Sequence, residues 1–193
     1  HIRLLGEALS GSKVKTYGLA NCKFNPVSLA TFVESVRWET AALTSVVLDG
    51  NELSATKIRN KGYASERIEE LDADLSGFTE FCASLKSSTI VSLSLRKCYL
   101  GPQALDLLAD AIKFKGALTS VNCLHNPLGE GVHIIIKVFE ETPRLRTLCG
   151  LEEGVEQIDW SKSGKGPVEV ALLAADVKAG RATGAISSVV ISN

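Results

Sequence analysis

Residues 90–112 read IVSLSLRKCYLGPQALDLLADAI, and two periods inside them decide the fold. Leu93 and Leu95 are two residues apart, the spacing of one face of a strand. Ile90 leads them in; Cys98 and Leu100 follow at fixed offsets. After Gly101-Pro102 the period changes. Leu105, Leu108, Ala111 and Ile112 recur as one buried face of a helix. Pro102 suits a first helical turn, because its missing N–H would have had no partner there.

The strand pattern is L-x-x-L-x-L-x-x-(N/C)-x-L, with any apolar residue at the L positions, and it occurs four times. Besides Ile90–Leu100, it runs from Val14 through Tyr17, Leu19 and Cys22 to Phe24. It runs again from Leu43 through Val46, Leu48 and Asn51 to Leu53. The last copy runs from Leu118 through Val121, Cys123 and Asn126 to Leu128. The starts are 29, 47 and 28 residues apart. Degenerate copies begin at Ile68, Leu145, Val155 and Ile186. Helical stripes lie between: Leu29, Phe32, Val33 and Val36; Phe78, Phe81, Cys82 and Leu85; Val132, Ile135, Ile136 and Phe139; Val170, Leu173, Ala174 and Val177. Strands are expected near 17–19, 46–48, 93–95, 121–123, 158–160 and 189–191.

The strand motif, its spacing and the intervening helix resemble the leucine-rich repeat family, in particular its ribonuclease-inhibitor-like subclass, most closely over LRKCYLGPQALDLLADA at 95–111. The resemblance spans nearly the whole chain and weakens at 54–67 and 150–155. It implies an α/β fold of the curved solenoid kind, with parallel strands concave and helices convex, over residues 1–193 as one unit. Family members mostly bind other proteins. A unit of this type cannot bury its apolar face alone, but stacked neighbours can. Cys22, Asn51, Cys98 and Asn126 are then expected to be buried, bonding backbone groups of adjacent turns.

Composition narrows the function. The 193 residues carry a net charge of −1, so no bulk basic surface is available for nucleic acid. Apolar residues make up 45%, enough for a core, yet no run is long enough to span a membrane. Five cysteines in unpaired spacing suit a reducing, intracellular and cytoplasmic setting. The absence of methionine and an opening His1 suggest a piece of a longer chain, with open ends through which copies could self-associate.

No residues are expected to be catalytic, cofactor-binding or metal-binding. SKSGKGP at 161–167 lacks the spacing of a phosphate loop. DADLSG at 72–77 supplies Asp72, Asp74 and Ser76 at calcium-loop positions, with Glu80 later, but Ala83 stands where a bidentate Glu is needed. Its acidic residues are expected instead to cap the helix near Gly77. No histidine is placed to activate Cys149.

Two protein-binding surfaces remain. One is the outward side of the strands: Ser45, Val47 and Asp49; Ser92, Ser94 and Arg96; Ser120, Asn122 and Leu124; Gln157 and Asp159. Its expected centre is Arg96 with Leu124. The other is an inserted loop at 54–67, SATKIRNKGYASER, with Lys57, Arg59, Lys61, Tyr63 and Arg67. The function expected is a protein-binding scaffold without catalysis. Regulation of a small GTPase, or a purely structural place in a complex, are the alternatives.

Overall fold

The computed structural model describes residues 1–61, 66–114, 116–161 and 166–192. Six helices and eight short strands occur among them: α1 (Ile2–Ser10), β1 (Thr16–Gly18), α2 (Pro26–Ser35), β2 (Ser45–Val47), β3 (Lys57–Arg59), β4 (Arg67–Glu70), α3 (Ser76–Leu85), β5 (Ser92–Ser94), α4 (Pro102–Phe114), β6 (Ser120–Asn122), α5 (Gly131–Glu141), β7 (Gln157–Asp159), α6 (Pro167–Ala179) and β8 (Ser188–Val190). Six strands start one residue before the position that the periodicity predicts. Pro26, Pro102 and Pro167 each open a helix, and Asn25 caps α2 by accepting the Ser28 N–H at 2.9 Å.

The helices form one layer, each packed on the next from α1 to α6. Beneath them β1, β2, β5 and β6 pair in parallel, with Thr16, Ser45, Ser92 and Ser120 in register. Val46, Leu93 and Val121 point inward and are fully buried. An aromatic cluster fills the α2–α3 end of the core: Phe32 meets Phe24 and Trp38 edge-on, and Trp38 meets Phe81 edge-on. The Trp38 indole N–H is satisfied by the Val33 carbonyl at 2.9 Å.

The strands do not make the single curved sheet of a solenoid. They fall into three small sheets, one of them antiparallel. The first interruption is β3–β4. The motif beginning at Ile68 reads as a degenerate repeat unit, with no strand among those expected. There Ile68 pairs with Ile58 across an antiparallel hairpin, and Lys57 stands opposite Glu70 with their side chains 2.5 Å apart. Cross-strand pairing of opposite charges favours this closure over insertion into an apolar sheet. So β2 skips the hairpin and pairs with β5.

The second interruption follows β6. Thr147 bridges Ser120 in parallel, but two residues later Cys149 bridges Asn122 antiparallel. The chain then turns at Gly150, where φ is +67° and a Cβ would lie 2.8 Å from that of Asn122. On the far side of this segment the Leu148 and Cys149 N–H groups are taken by the Asp176 carboxylate, at 2.8 and 3.1 Å. Asp176 stands where a further strand's carbonyls would be, so the sheet ends, and β7 and β8 pair separately. Gly150→Ala is expected to destabilise the chain by about 1–2 kcal/mol through the left-handed backbone and the Asn122 contact. Urea unfolding of the variant checks this; an unchanged midpoint contradicts it.

Helix α6 also departs from its expected stripe. Leu172, Leu173, Ala175 and Asp176 are buried, while Val170 and Val177 are 38% and 44% exposed. The helix is turned so that two carboxylates, Glu169 and Asp176, cap backbone groups beneath it.

Candidate functional site

Three residues beyond each strand of the four-stranded sheet the backbone turns left-handed. Asn21, Gly50, Lys97 and His125 have φ of 55°, 71°, 56° and 59°. Three of these residues donate their N–H to the neighbouring turn: Asn21 to Asp49, Gly50 to Arg96 and Lys97 to Leu124. The four stack into a row at the carboxyl ends of the strands. Together with hairpin residues Glu66 and Ile68 and with Glu169 of α6, they line a groove of about 760 Å³.

The ladder residues hold this row up. Asn126 accepts the Cys98 and Leu100 N–H groups at 2.9 and 3.1 Å, and donates to the Leu95 and Cys123 carbonyls at 2.8 and 3.0 Å. Asn51 does the same one unit earlier with Phe24, Leu19 and Leu48. The Cys98 thiol donates to Leu48. All three reach back to the preceding unit and are buried. The motif predicts burial for Cys22 as well, but Cys22 is exposed. No strand precedes β1 among the described residues, so its thiol meets only its own turn, at Ala20.

Burial pushes the Cys98 and Cys123 thiols up to about 12, and Cys82 higher still. None of the three is a thiolate near neutral pH. Native thiol labelling is therefore expected to modify Cys22 at the rate of a free peptide and to spare the other four cysteines. Rapid labelling of two or more thiols contradicts this burial pattern.

Inside the groove, Asp49 accepts the Ser94 hydroxyl at 2.6 Å and the Arg96 N–H at 2.9 Å. The Arg96 guanidinium lies 3.2 Å from Nε2 of His125, and Glu169 accepts the His125 N–H. The half-buried Tyr99 ring lies beneath the Lys61 ammonium, 4.7 Å from its centre. Burial pushes the Tyr99 hydroxyl above the ordinary phenol value, with Lys61 pulling the other way. The groove thus gathers an arginine, a tyrosine and the exposed Ile68, with charges of both signs at its rim.

The expected site residues divide. Ser45, Val47, Ser92, Ser94, Ser120 and Asn122 lie on the outward side of one sheet, partly exposed, and Asp49 and Arg96 lie just beyond it. Leu124 is buried, at 6% exposure. It sits two residues past the end of β6, the offset at which Asp49 and Arg96 are exposed in part or whole, but here Glu169 of α6 reaches the turn and accepts the N–H of the following residue; His125 takes the place of Leu124 beside Arg96. Gln157 and Asp159 are exposed on β7, in a separate sheet. Within the inserted segment, Lys57–Arg59 form β3 and Arg67 opens β4. Its cations face acids: Lys57 with Glu70, Arg59 with Glu69 at 3.0 Å, and Lys61 with Glu52. Arg67 is exposed in β4, and Tyr63 lies outside the described residues.

The other motifs are structural. Asp72 accepts the Gly101, Gln103 and Ala104 N–H groups, so it caps α4 rather than the nearer α3. Asp74 accepts the Ser76 N–H at the start of α3. At α6, Glu169 accepts the Gly166 N–H, putting a carboxylate where a phosphate would sit; Gly164 and Lys165 lie outside the described residues. No cluster of three or more His, Cys, Asp or Glu able to hold a metal occurs among the described residues. None of the described helices is long and apolar enough to cross a membrane.

Tyr99, Ile68 and His125 escape the sequence reading because they belong to turns and to the hairpin, outside the strand alternation. The signal available was the fixed offset from each strand to Lys97 and His125. No protein-family model matches this chain, and no curated protein matches it.

Proposed function

We propose that this chain is a non-catalytic protein-binding scaffold that engages its partner through the groove beyond the strand ends. The observation carrying this reading is the convergence of Arg96, Tyr99 and Ile68 on one groove built over a rigid row of turns. Arginine and tyrosine are the side chains that most often dominate protein interfaces. The resemblance of the strand motifs to leucine-rich repeats, whose members mostly bind proteins, supports the same reading. The raised thiols at Cys82, Cys98 and Cys123 support a role without cysteine chemistry. Five cysteines without paired spacing in the sequence support a reducing, cytoplasmic setting.

The test compares proteins captured by the immobilised chain with those captured by Tyr99→Ala and Arg96→Ala. A partner held through the groove is expected to bind each variant at least about tenfold more weakly, the loss typical of an interface anchor. Recovery of the same proteins at the same affinity by both variants overturns the assignment.

A further inference from the structure

The carboxylates of the groove beyond the strand ends are largely engaged by the chain itself. Glu169 is buried, and its two oxygens accept the His125 and Gly166 N–H groups at 3.2 and 2.9 Å. It closes the row of turns: Asn21, Gly50 and Lys97 give their N–H to a carbonyl of the next turn, and at His125 the Glu169 carboxylate stands in for that carbonyl. Asp49 is held by the Ser94 hydroxyl and the Arg96 N–H, both on Oδ1. Glu66 lies at the hairpin end of the groove, where it adds to the burial that pushes the Tyr99 hydroxyl up.

Two cations of the groove are not engaged in this way. Arg96 and Lys97 are adjacent in one turn and both exposed, and neither meets a carboxylate at ion-pair distance among the described residues. The cations nearby differ: Lys57, Arg59 and Lys61 each face an acid. The Arg96 guanidinium lies 3.2 Å from Nε2 of His125. Arginine only donates, so this nitrogen accepts and carries no proton. A neutral imidazole steadies the guanidinium and leaves its charge uncompensated. The other guanidinium N–H groups and the Lys97 ammonium are left to bind an acceptor from outside the chain. A guanidinium already held in place can take a carboxylate through two parallel N–H bonds, with less side-chain freedom to lose on binding.

Beside these cations the groove is apolar. It is lined there by the half-buried Tyr99 ring, by Pro127 and by Ile68, which is 43% exposed.

Resting on the protein-binding reading of this groove, we propose that the segment it takes is acidic. A Glu or Asp side chain of the partner pairs with Arg96 and Lys97, and an apolar neighbour of that residue packs on Tyr99 and Ile68. A basic segment is disfavoured, because it meets these two cations while Asp49 and Glu169 are held by N–H and hydroxyl groups of the chain.

Fluorescence anisotropy with two labelled peptides tests this. One carries two glutamates beside a leucine in a serine–glycine background; the other has lysines in place of the glutamates. The unaltered chain is expected to bind the glutamate peptide at least about tenfold more tightly, with an affinity that falls as salt is added. Arg96→Gln and Lys97→Asn are each expected to remove most of this preference; asparagine tolerates the left-handed backbone at 97. Tyr99→Ala is expected to weaken binding while keeping the preference. Circular dichroism verifies that each variant is folded. Equal binding of both peptides, lost in Tyr99→Ala, keeps the groove as a binding site and overturns its acidic preference. Glutamate-peptide binding that Arg96→Gln and Lys97→Asn leave unchanged overturns it too. So does binding of neither peptide, and the capture comparison above then decides the protein-binding reading separately.

Discussion

Asn126→Ala is expected to cost about 3–5 kcal/mol of folding free energy. The side chain is 5% exposed and makes four good hydrogen bonds to backbone groups of two successive turns. Alanine strands two N–H groups and two carbonyls in the core. Each buried group left without a partner costs about 1–3 kcal/mol, and some of this is recovered by relaxation. Asn126→Asp is expected to be no milder, because it keeps the acceptor but loses the donors and buries a charge. Urea unfolding monitored by circular dichroism measures both. A loss under about 1 kcal/mol for Asn126→Ala would mean that water or a shifted turn satisfies these groups.

Asp176→Ala is expected to cost about 2–4 kcal/mol, and its size depends on pH. The carboxylate is fully buried and receives the Thr147 hydroxyl at 2.6 Å with the Leu148 and Cys149 N–H groups. Burial raises its pKa above the ordinary 3.8, and those hydrogen bonds pull it back in part. A carboxyl whose pKa is raised on folding binds its proton more tightly in the folded state. Its contribution is therefore fully present below about pH 3.8 and is lost as pH rises through the folded value. The stability difference between the unaltered chain and Asp176→Ala should be largest in acid, fall across that window and then level off. Unfolding midpoints of both proteins between about pH 3 and 8 provide the measurement. A difference that grows with pH reverses the sign and removes burial as the controlling effect.

Much of the layer structure was legible because it rests on local periods. Leu93 and Leu95, or Leu105 and Leu108, fix strand and helix whatever their neighbours do. The ladder role of Asn51 and Asn126 was legible too, since it follows from one offset within each motif. The curved single sheet was not, because sheet continuity depends on what lies between units. Apolar residues at 68 and 71 fit the strand motif, yet the charges flanking Ile58 and Ile68 select a hairpin. Leu145 and Leu148 fit it as well, yet Asp176, 28 residues beyond Leu148, takes the N–H groups a further strand would need. That same polar burial turns α6 away from its expected stripe. Cys22 shows the limit of reading by analogy: the motif position is right, but no preceding turn covers it among the described residues. Leu124 fails through a distant contact: Asp49 and Arg96 keep the outward side at the same offset, but beyond β6 Glu169 of α6 reaches the turn and accepts the His125 N–H.

The floor of the groove is set by main-chain geometry rather than by the side chains it displays. Asn21, Gly50 and Lys97 hold their places through N–H groups given to the next turn, and at Asn21 and Lys97, where φ is left-handed, the residue is exposed. The apolar residues that stabilise the units are different residues, on the opposite side of the same backbone. Changes at Lys97 or His125 thus rewrite what the surface offers while leaving the interior untouched, provided that the newcomer tolerates positive φ. Selection can then act on recognition and on folding almost independently, and a binding surface of this kind can diverge quickly between related chains whose cores stay the same.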